Sequence, residues 1–93
     1  LFKDKAFFEN NLKILNSLFR DMLMISLNKE ELINNYFIKD NLESCIAEYS
    51  VNCLLQILKR INKVKQMLDS NVNLTLLADN FLFDILEIKY LCK

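Results

Sequence analysis

The sequence predicts an all-α fold: a compact bundle of about five helices in a single domain that spans residues 1–93. The chain contains no glycine and no proline, and the tight turns of a β-rich fold usually depend on these residues. Apolar residues recur at spacings of three and four along most of the chain, which is typical of helices with a buried face. Asparagine is left to punctuate the helices, because it tolerates left-handed backbone and caps helix ends.

The first predicted helix runs from about Lys5 to Leu27. Arg20 and Asp21 interrupt its apolar stripe, and as sequence neighbours they do not face each other on a helix. We therefore expect each of them to contact a partner elsewhere, or solvent, rather than its neighbour. The stripe is wide enough for a central helix that is contacted on more than one side, and it comprises Phe8, Leu12, Leu15, Phe19, Met22 and Leu23.

A short second helix is predicted over residues 29–35. Asn28 followed three residues later by Glu31 resembles a capping box, so Asn28 is the expected N-cap. This helix would turn Leu32 toward the core. The apolar triplet at residues 36–38 is expected to pack against the core as part of the connection that follows.

The third predicted helix runs from about Asn41 to Tyr49. Asp40 is its expected N-cap, with Glu43 at the matching third position. Its inward side chains would be Leu42, Cys45, Ile46 and Tyr49. Ser50 is the expected N-cap of a fourth helix over about residues 51–69, with an inner face of Leu54, Ile57, Leu58, Ile61, Val64 and Leu68.

The stretch Asn71-Val72-Asn73 is predicted to reverse the chain between the last two helices. Asn71 would end the fourth helix, Asn73 would cap the fifth, and Val72 would pack onto the core. A connection this short predicts an antiparallel pair. The fifth helix is predicted from Leu74 to about residue 90, with Leu74, Leu77, Ala78, Phe81, Leu82, Ile85 and Leu86 facing inward.

The charge balance argues against a dedicated nucleic-acid domain, which would be clearly basic. Twelve basic and twelve acidic residues give a formal net charge of zero. The basic cluster of Lys59, Arg60, Lys63 and Lys65 is interpreted as the solvated face of a helix. The sequence contains no run of about 18 apolar residues, so it predicts no membrane-spanning helix.

The sequence lacks histidine and glycine, on which many catalytic and phosphate-binding sites depend. There is no histidine for a triad or an imidazole base, and no glycine for a phosphate-binding loop. The three cysteines have no C-x-x-C spacing, so we interpret them as reduced thiols of a cytoplasmic protein. We expect no catalytic residue, no metal, no cofactor and no small-molecule ligand.

The apolar content points instead to a protein interface. Apolar residues make up 53% of the chain, which is high for so small a domain. We expect part of this apolar surface to be covered by a partner or by other parts of the same protein. Since the chain starts at Leu1 rather than methionine, we expect it to be the C-terminal domain of a longer protein.

Two segments together resemble a known family. The first is Leu-Phe-Arg-Asp-Met-Leu-Met at residues 18–24, followed by Leu-Ile-Asn-Asn at residues 32–35. The second is Asn-Val-Asn-Leu-Thr-Leu-Leu-Ala-Asp-Asn-Phe-Leu at residues 71–82. In order and spacing they resemble the C-terminal domain of the delta prime subunit of bacterial DNA polymerase III, over about Phe8 to Leu86. Two departures are Phe19, where the family often has tryptophan, and Ala78-Asp79, where it often has Leu-Glu.

The resemblance implies a structural role. Such domains form the helical collar that holds together the five subunits of the clamp loader, the ATPase assembly that places a sliding clamp on primed DNA. The chain would then contact the gamma/tau and delta subunits, with no direct contact to nucleic acid or membrane. Its parent would be a cytoplasmic component of the DNA-directed DNA polymerase III holoenzyme, a transferase. Arg20 and Asp21 would be the polar pair of the family motif, and one of them is expected to reach the backbone near residues 71–73.

Other interpretations of the sequence stay open. The departures leave room for a collar domain of the gamma/tau or delta subunit. A generic helical protein–protein interaction domain would have the same composition. Less favoured are a fragment of an enzyme whose catalytic residues lie elsewhere and a helical bundle that binds nucleic acid.

Overall fold

The computed structural model describes residues 4–70 and 73–91. In this part of the chain the only regular structure is helical, so the all-α prediction is confirmed. A single 3₁₀ turn, Glu30–Leu32, takes the place of the helix predicted over residues 29–35, and a second 3₁₀ turn, Tyr36–Ile38, lies in the connection that follows. The four α-helices are α1 (Lys5–Ser26), α2 (Lys39–Ile46), α3 (Val51–Leu68) and α4 (Leu74–Leu91).

The long helix α1 ends in a motif that needs a left-handed residue. Asn28 supplies it, with φ of 61°. The amide of Asn28 donates to the carbonyl of Ile25 at 3.0 Å, and the amide of Lys29 donates to that of Met24 at 2.8 Å. This pair of bonds defines a Schellman motif, which usually requires glycine. The expectation that Asn28 is an N-cap is therefore wrong: it ends α1, and the 3₁₀ turn after it has no side-chain cap.

Two clusters of buried side chains lie along α1 and α3. The N-terminal half of α1 packs with the C-terminal half of α3 and with α4, and the C-terminal half of α1 packs with α2 and the start of α3. α1 and α3 are therefore antiparallel. Among the side chains with no exposed surface, Phe8, Leu12, Ile57 and Ile61 belong to the first cluster and Leu54 to the second.

The connection between α1 and α2 carries more exposed apolar surface than the sequence predicts. Leu32 is half-exposed and Phe37 is 86% exposed, so the expectations that they pack inward are wrong. Ile38 does pack against the second cluster. The reason is that short 3₁₀ turns present fewer side chains to one face than a full helix does.

α2 begins earlier than predicted. Its first residue is Lys39, so Asp40 lies in the first turn, and the cap position is taken by Ile38 without a side-chain bond. The prediction that Asp40 is the N-cap is therefore wrong, although an acidic residue in a first turn still complements the helix dipole. Leu42 is buried as expected, whereas Cys45 is exposed, contrary to expectation.

α3 and α4 form the antiparallel pair that the short connection predicts. Ser50 lies at the N-cap of α3, where its hydroxyl accepts a hydrogen bond from the amide of Cys53 at 3.1 Å. At the same end of the pair, Cys53 Sγ lies 3.7 Å from the carbonyl oxygen of Ile88 on α4. No helix in the described part of the chain is both long and apolar enough to cross a membrane.

Candidate functional site

A cluster of hydrogen-bonding side chains ties the segment that follows α1 to this helix. We call Ser17, Arg20, Asp21 and Asn35 the α1 polar cluster. Asp21 is its centre and is fully buried. Its Oδ1 accepts from the backbone amide of Asn34 at 3.1 Å, and its Oδ2 accepts from the amide of Asn35 at 2.9 Å and from Asn35 Nδ2 at 2.6 Å. One buried carboxylate thus satisfies two backbone amides outside any helix.

Arg20 and Ser17 complete the cluster. Arg20 Nη1 lies 3.4 Å from Asp21 Oδ1 and donates to the carbonyl of Leu32 at 3.2 Å. Asn35 Nδ2 also donates to Ser17 Oγ at 2.9 Å. The expectation that Arg20 and Asp21 do not contact each other is therefore wrong. The backbone that they reach is that of residues 32–35. The contact expected near residues 71–73 involves Asn71 and Val72, which lie outside the described residues.

The α1 polar cluster holds a segment that has no buried side chain in either 3₁₀ turn. With few apolar contacts, this segment depends on polar contacts for its position. The cluster thereby fixes the position of the exposed side chains of Tyr36 and Phe37. Its donors converge on one carboxylate, so its arrangement supports structure rather than acid–base chemistry. In the described ranges, no three His, Cys, Asp or Glu side chains are grouped as metal ligands would be.

The surface of α4 that faces away from the core is the second candidate site. Leu77, Ala78 and Phe81 turn into the first cluster. On the opposite side Leu76 is 59% exposed, Phe83 70% and Tyr90 65%. Leu82 and Leu86 are also exposed, so the expectation that these two face inward is wrong. We define the outer face of α4 as Leu76, Asp79, Phe83, Leu86 and Tyr90.

An open groove between α3 and α4 gathers charges of both signs. Lys59, Arg60 and Lys63 line it from α3, and Asp84 and Glu87 line it from α4. Arg60 Nε lies 3.3 Å from Asp84 Oδ2, so part of the basic cluster seen in the sequence is compensated. Mixed charge of this kind does not match the continuous positive surface that nucleic acid selects.

Two lysines link separate elements. Lys39 Nζ lies 2.7 Å from Glu30 Oε2, and this hydrogen bond raises the pKa of Lys39. Lys89 Nζ lies 3.2 Å from Glu48 Oε2, and this hydrogen bond raises the pKa of Lys89. A lysine whose pKa is raised by folding stabilises the folded state fully at pH values below its ordinary pKa of 10.5. This contribution is lost as the pH rises through the pKa of the folded state. Both links are therefore present at neutral pH.

Asn73 begins α4. Its Oδ1 accepts from the amide of Leu76 at 3.0 Å, and its carbonyl accepts from the amide of Leu77 at 3.0 Å. These bonds satisfy donors that the start of a helix leaves unpaired. The other two residues of the predicted reversal, Asn71 and Val72, lie outside the described residues.

We predict that replacing Asn73 with alanine lowers the free energy of unfolding by about 1 kcal/mol, because the cap bond to Leu76 is lost. Urea denaturation measures the change. Asn80→Ala is the matched control: it removes an exposed asparagine from the interior of α4 and is expected to be neutral or slightly stabilising. A loss of partner binding by Asn73→Ala without loss of stability would contradict a structural role for this side chain.

The outer face of α4 does not stand out in the sequence, because the three-four stripe of the same helix dominates the pattern. Leu76, Phe83 and Tyr90 are spaced by seven residues, which keeps them on one line along a helix. That spacing is the signal that could have found them. The core stripe masks it, since both stripes are apolar.

Comparison with known proteins gives one match. A family model described as "DNA polymerase III, delta subunit, C terminal" matches residues 2–87. No curated protein and no solved structure matches the chain. The matched range contains the whole α1 polar cluster and most of α4.

Proposed function

Because the chain belongs to the family of C-terminal domains of the DNA polymerase III delta subunit, we propose that it is an assembly module of the bacterial clamp loader. A domain of this family is part of a clamp-loader protein and so of the polymerase III holoenzyme. The proposed role is to join its parent subunit to the neighbouring ones in the cytoplasmic complex through packing of helix surfaces. The reaction of the loader is left to other parts of the assembly.

The apolar character of α4 on both sides is the observation that supports this role most. A helix that is apolar all round is typically buried on all sides. Here one side of α4 packs on α1 and α3, and no described residue covers the other. An assembly domain that is completed by a neighbouring subunit accounts for the uncovered side.

The identity of the subunit is a finer proposal. The sequence motifs resemble the delta prime subunit, whereas the description of the matching family names the delta subunit. Both are subunits of one loader. We favour delta prime on the motifs at residues 18–24 and 71–82, with gamma/tau and delta as the contacting subunits.

Reconstitution tests the proposal. The full-length protein that carries this domain is mixed with purified gamma/tau and with either delta or delta prime, and the masses of the complexes are measured by size-exclusion chromatography with light scattering. We expect a complete loader that needs this domain, and completion by delta identifies the chain as delta prime. A domain-deleted protein that assembles equally well would contradict the assembly role, as would a full-length protein that joins neither mixture.

A further inference from the structure

We propose that one amphipathic helix of a neighbouring clamp-loader subunit packs on the outer face of α4 and places a lysine or arginine against Asp79. We call this helix–helix contact the seam. This inference rests on the proposed function, and it adds which surface makes the contact and what chemistry the partner must have. It is carried by the spacing of the exposed side chains, by the way α4 is anchored, and by the charges that the domain leaves uncompensated.

The spacing of the outer face matches that of a helix–helix contact. Leu76, Phe83 and Tyr90 repeat every seven residues, and Asp79 and Leu86 occupy the positions three residues after the first two. These are the a and d positions of a helix–helix seam, in which side chains of one helix insert between those of another, and four of the five residues here are apolar while Asp79 is charged. The segment from Leu76 to Tyr90 extends about 21 Å along the helix, long enough for two heptads of contact.

The inner side of α4 is firmly held, so the outer face is a fixed surface. Phe81 is almost fully buried, and its ring centroid lies 6.3 Å from that of Phe8 on α1. At the C-terminal end, Lys89 bonds to Glu48 and lies over the ring of Tyr49 at 5.6 Å. A surface held in this way binds without the entropy loss of ordering a flexible segment.

The charges of α4 select a basic partner. Asp84 pairs with Arg60 and Lys89 pairs with Glu48. Asp79 is exposed on the seam, and in the described part of the chain it forms no ion pair, while exposed Glu87 flanks the same face. Covering Asp79 with an apolar surface would bury an uncompensated carboxylate, which is strongly unfavourable. A lysine or arginine at that level of the partner helix removes this penalty.

The same charges oppose a second copy of this domain as the occupant. Two copies of α4 packed in parallel would set Asp79 against Asp79. Two antiparallel copies centred on Phe83 would set Asp79 against Glu87, because each lies four residues from the centre. Like charges that face each other across an interface are destabilising. A neighbouring subunit with basic residues is therefore the occupant that the charges favour.

Charge reversal tests the seam. In the full-length protein, Asp79→Lys is expected to weaken binding to the purified neighbouring subunits by about tenfold or more, because attraction becomes repulsion. Glu31→Lys is the matched control: it reverses an exposed acidic residue on the 3₁₀ turn Glu30–Leu32, far along the chain from α4, and is expected to leave binding unchanged. Affinity is measured by biolayer interferometry at two salt concentrations, with circular dichroism to verify that both variants fold.

The outcomes separate this inference from the proposed function. If the wild-type protein binds its neighbours and Asp79→Lys binds as tightly, the seam is wrong and the assembly role stands. If the wild-type protein binds no clamp-loader subunit, both are wrong. Sedimentation of the wild-type protein is expected to show a monomer, and a dimer that Phe83→Ala dissolves would overturn the inference, because a second copy would then occupy the face.

Discussion

Replacing Asp21 with asparagine is expected to lower the free energy of unfolding by about 3 kcal/mol. The buried carboxylate accepts hydrogen bonds from two backbone amides, from Asn35 Nδ2 and from Arg20. An asparagine is nearly the same size but carries an NH₂ group in place of one oxygen, so at least one N–H would face another donor. Arg20 would also lose its negative partner in a partly buried position.

Urea denaturation and limited proteolysis together check this expectation. Glu31→Gln removes an exposed carboxylate nearby in sequence and is expected to change stability by less than about 0.5 kcal/mol. In Asp21→Asn, cleavage is expected to begin within residues 28–38, since those residues lose their attachment to α1. Unchanged stability and unchanged protease resistance would show that the α1 polar cluster does not fix this segment.

Replacing Phe81 with alanine is expected to have the largest effect, a loss of about 3–5 kcal/mol. Phe81 is buried where α4 meets α1 and α3, and its ring contacts Phe8. Truncation leaves a cavity between three helices that are held by their other contacts, so little of it can close. For a domain of this size such a loss is a large part of the total stability.

Phe83→Ala is the matched control, because it makes the same chemical change two residues further along the same helix. Phe83 is mostly exposed, so its truncation is expected to change the free energy of unfolding by less than about 0.5 kcal/mol. Under the seam inference it should instead weaken assembly. Equal destabilisation by the two variants in thermal or urea unfolding would contradict the assignment of the inner and outer sides of α4.

Periodicity in the sequence is enough to place the long helices. The first helix is predicted from Lys5 to Leu27 and ends at Ser26, and the fourth predicted helix agrees with α3 to within one residue. These segments are predictable because their apolar stripes are long and their flanking residues can cap. The inner residues of α3 are likewise predictable, since its outer side is polar and only one face can be buried.

The connection between α1 and α2 is not predictable from local sequence, because a distant side chain decides it. Asn28 and Glu31 satisfy a local rule for the start of a helix, yet Asn28 serves to end the helix before it. The amides of Asn34 and Asn35 donate to Asp21, more than ten residues earlier in the chain. Local patterns contain no information about a contact of that range.

The inner side of α4 is only partly predictable. When apolar residues surround a helix, periodicity does not show which of them face the core, and the assignment of Leu82 and Leu86 to the inner side is wrong for this reason. The same ambiguity hides the outer face. A helix that contacts both a core and a partner has two apolar stripes, and the sequence pattern does not separate one from the other.

The sharing of α1 and α3 by both core clusters has a mechanical consequence. Because the same two helices run through both ends of the domain, unfolding of one end removes contacts from the other. We therefore expect a single cooperative unfolding transition. We also expect the domain to move as one rigid body within an assembly. In a ring of such domains, changes of shape would then occur at the contacts between domains and not within each domain.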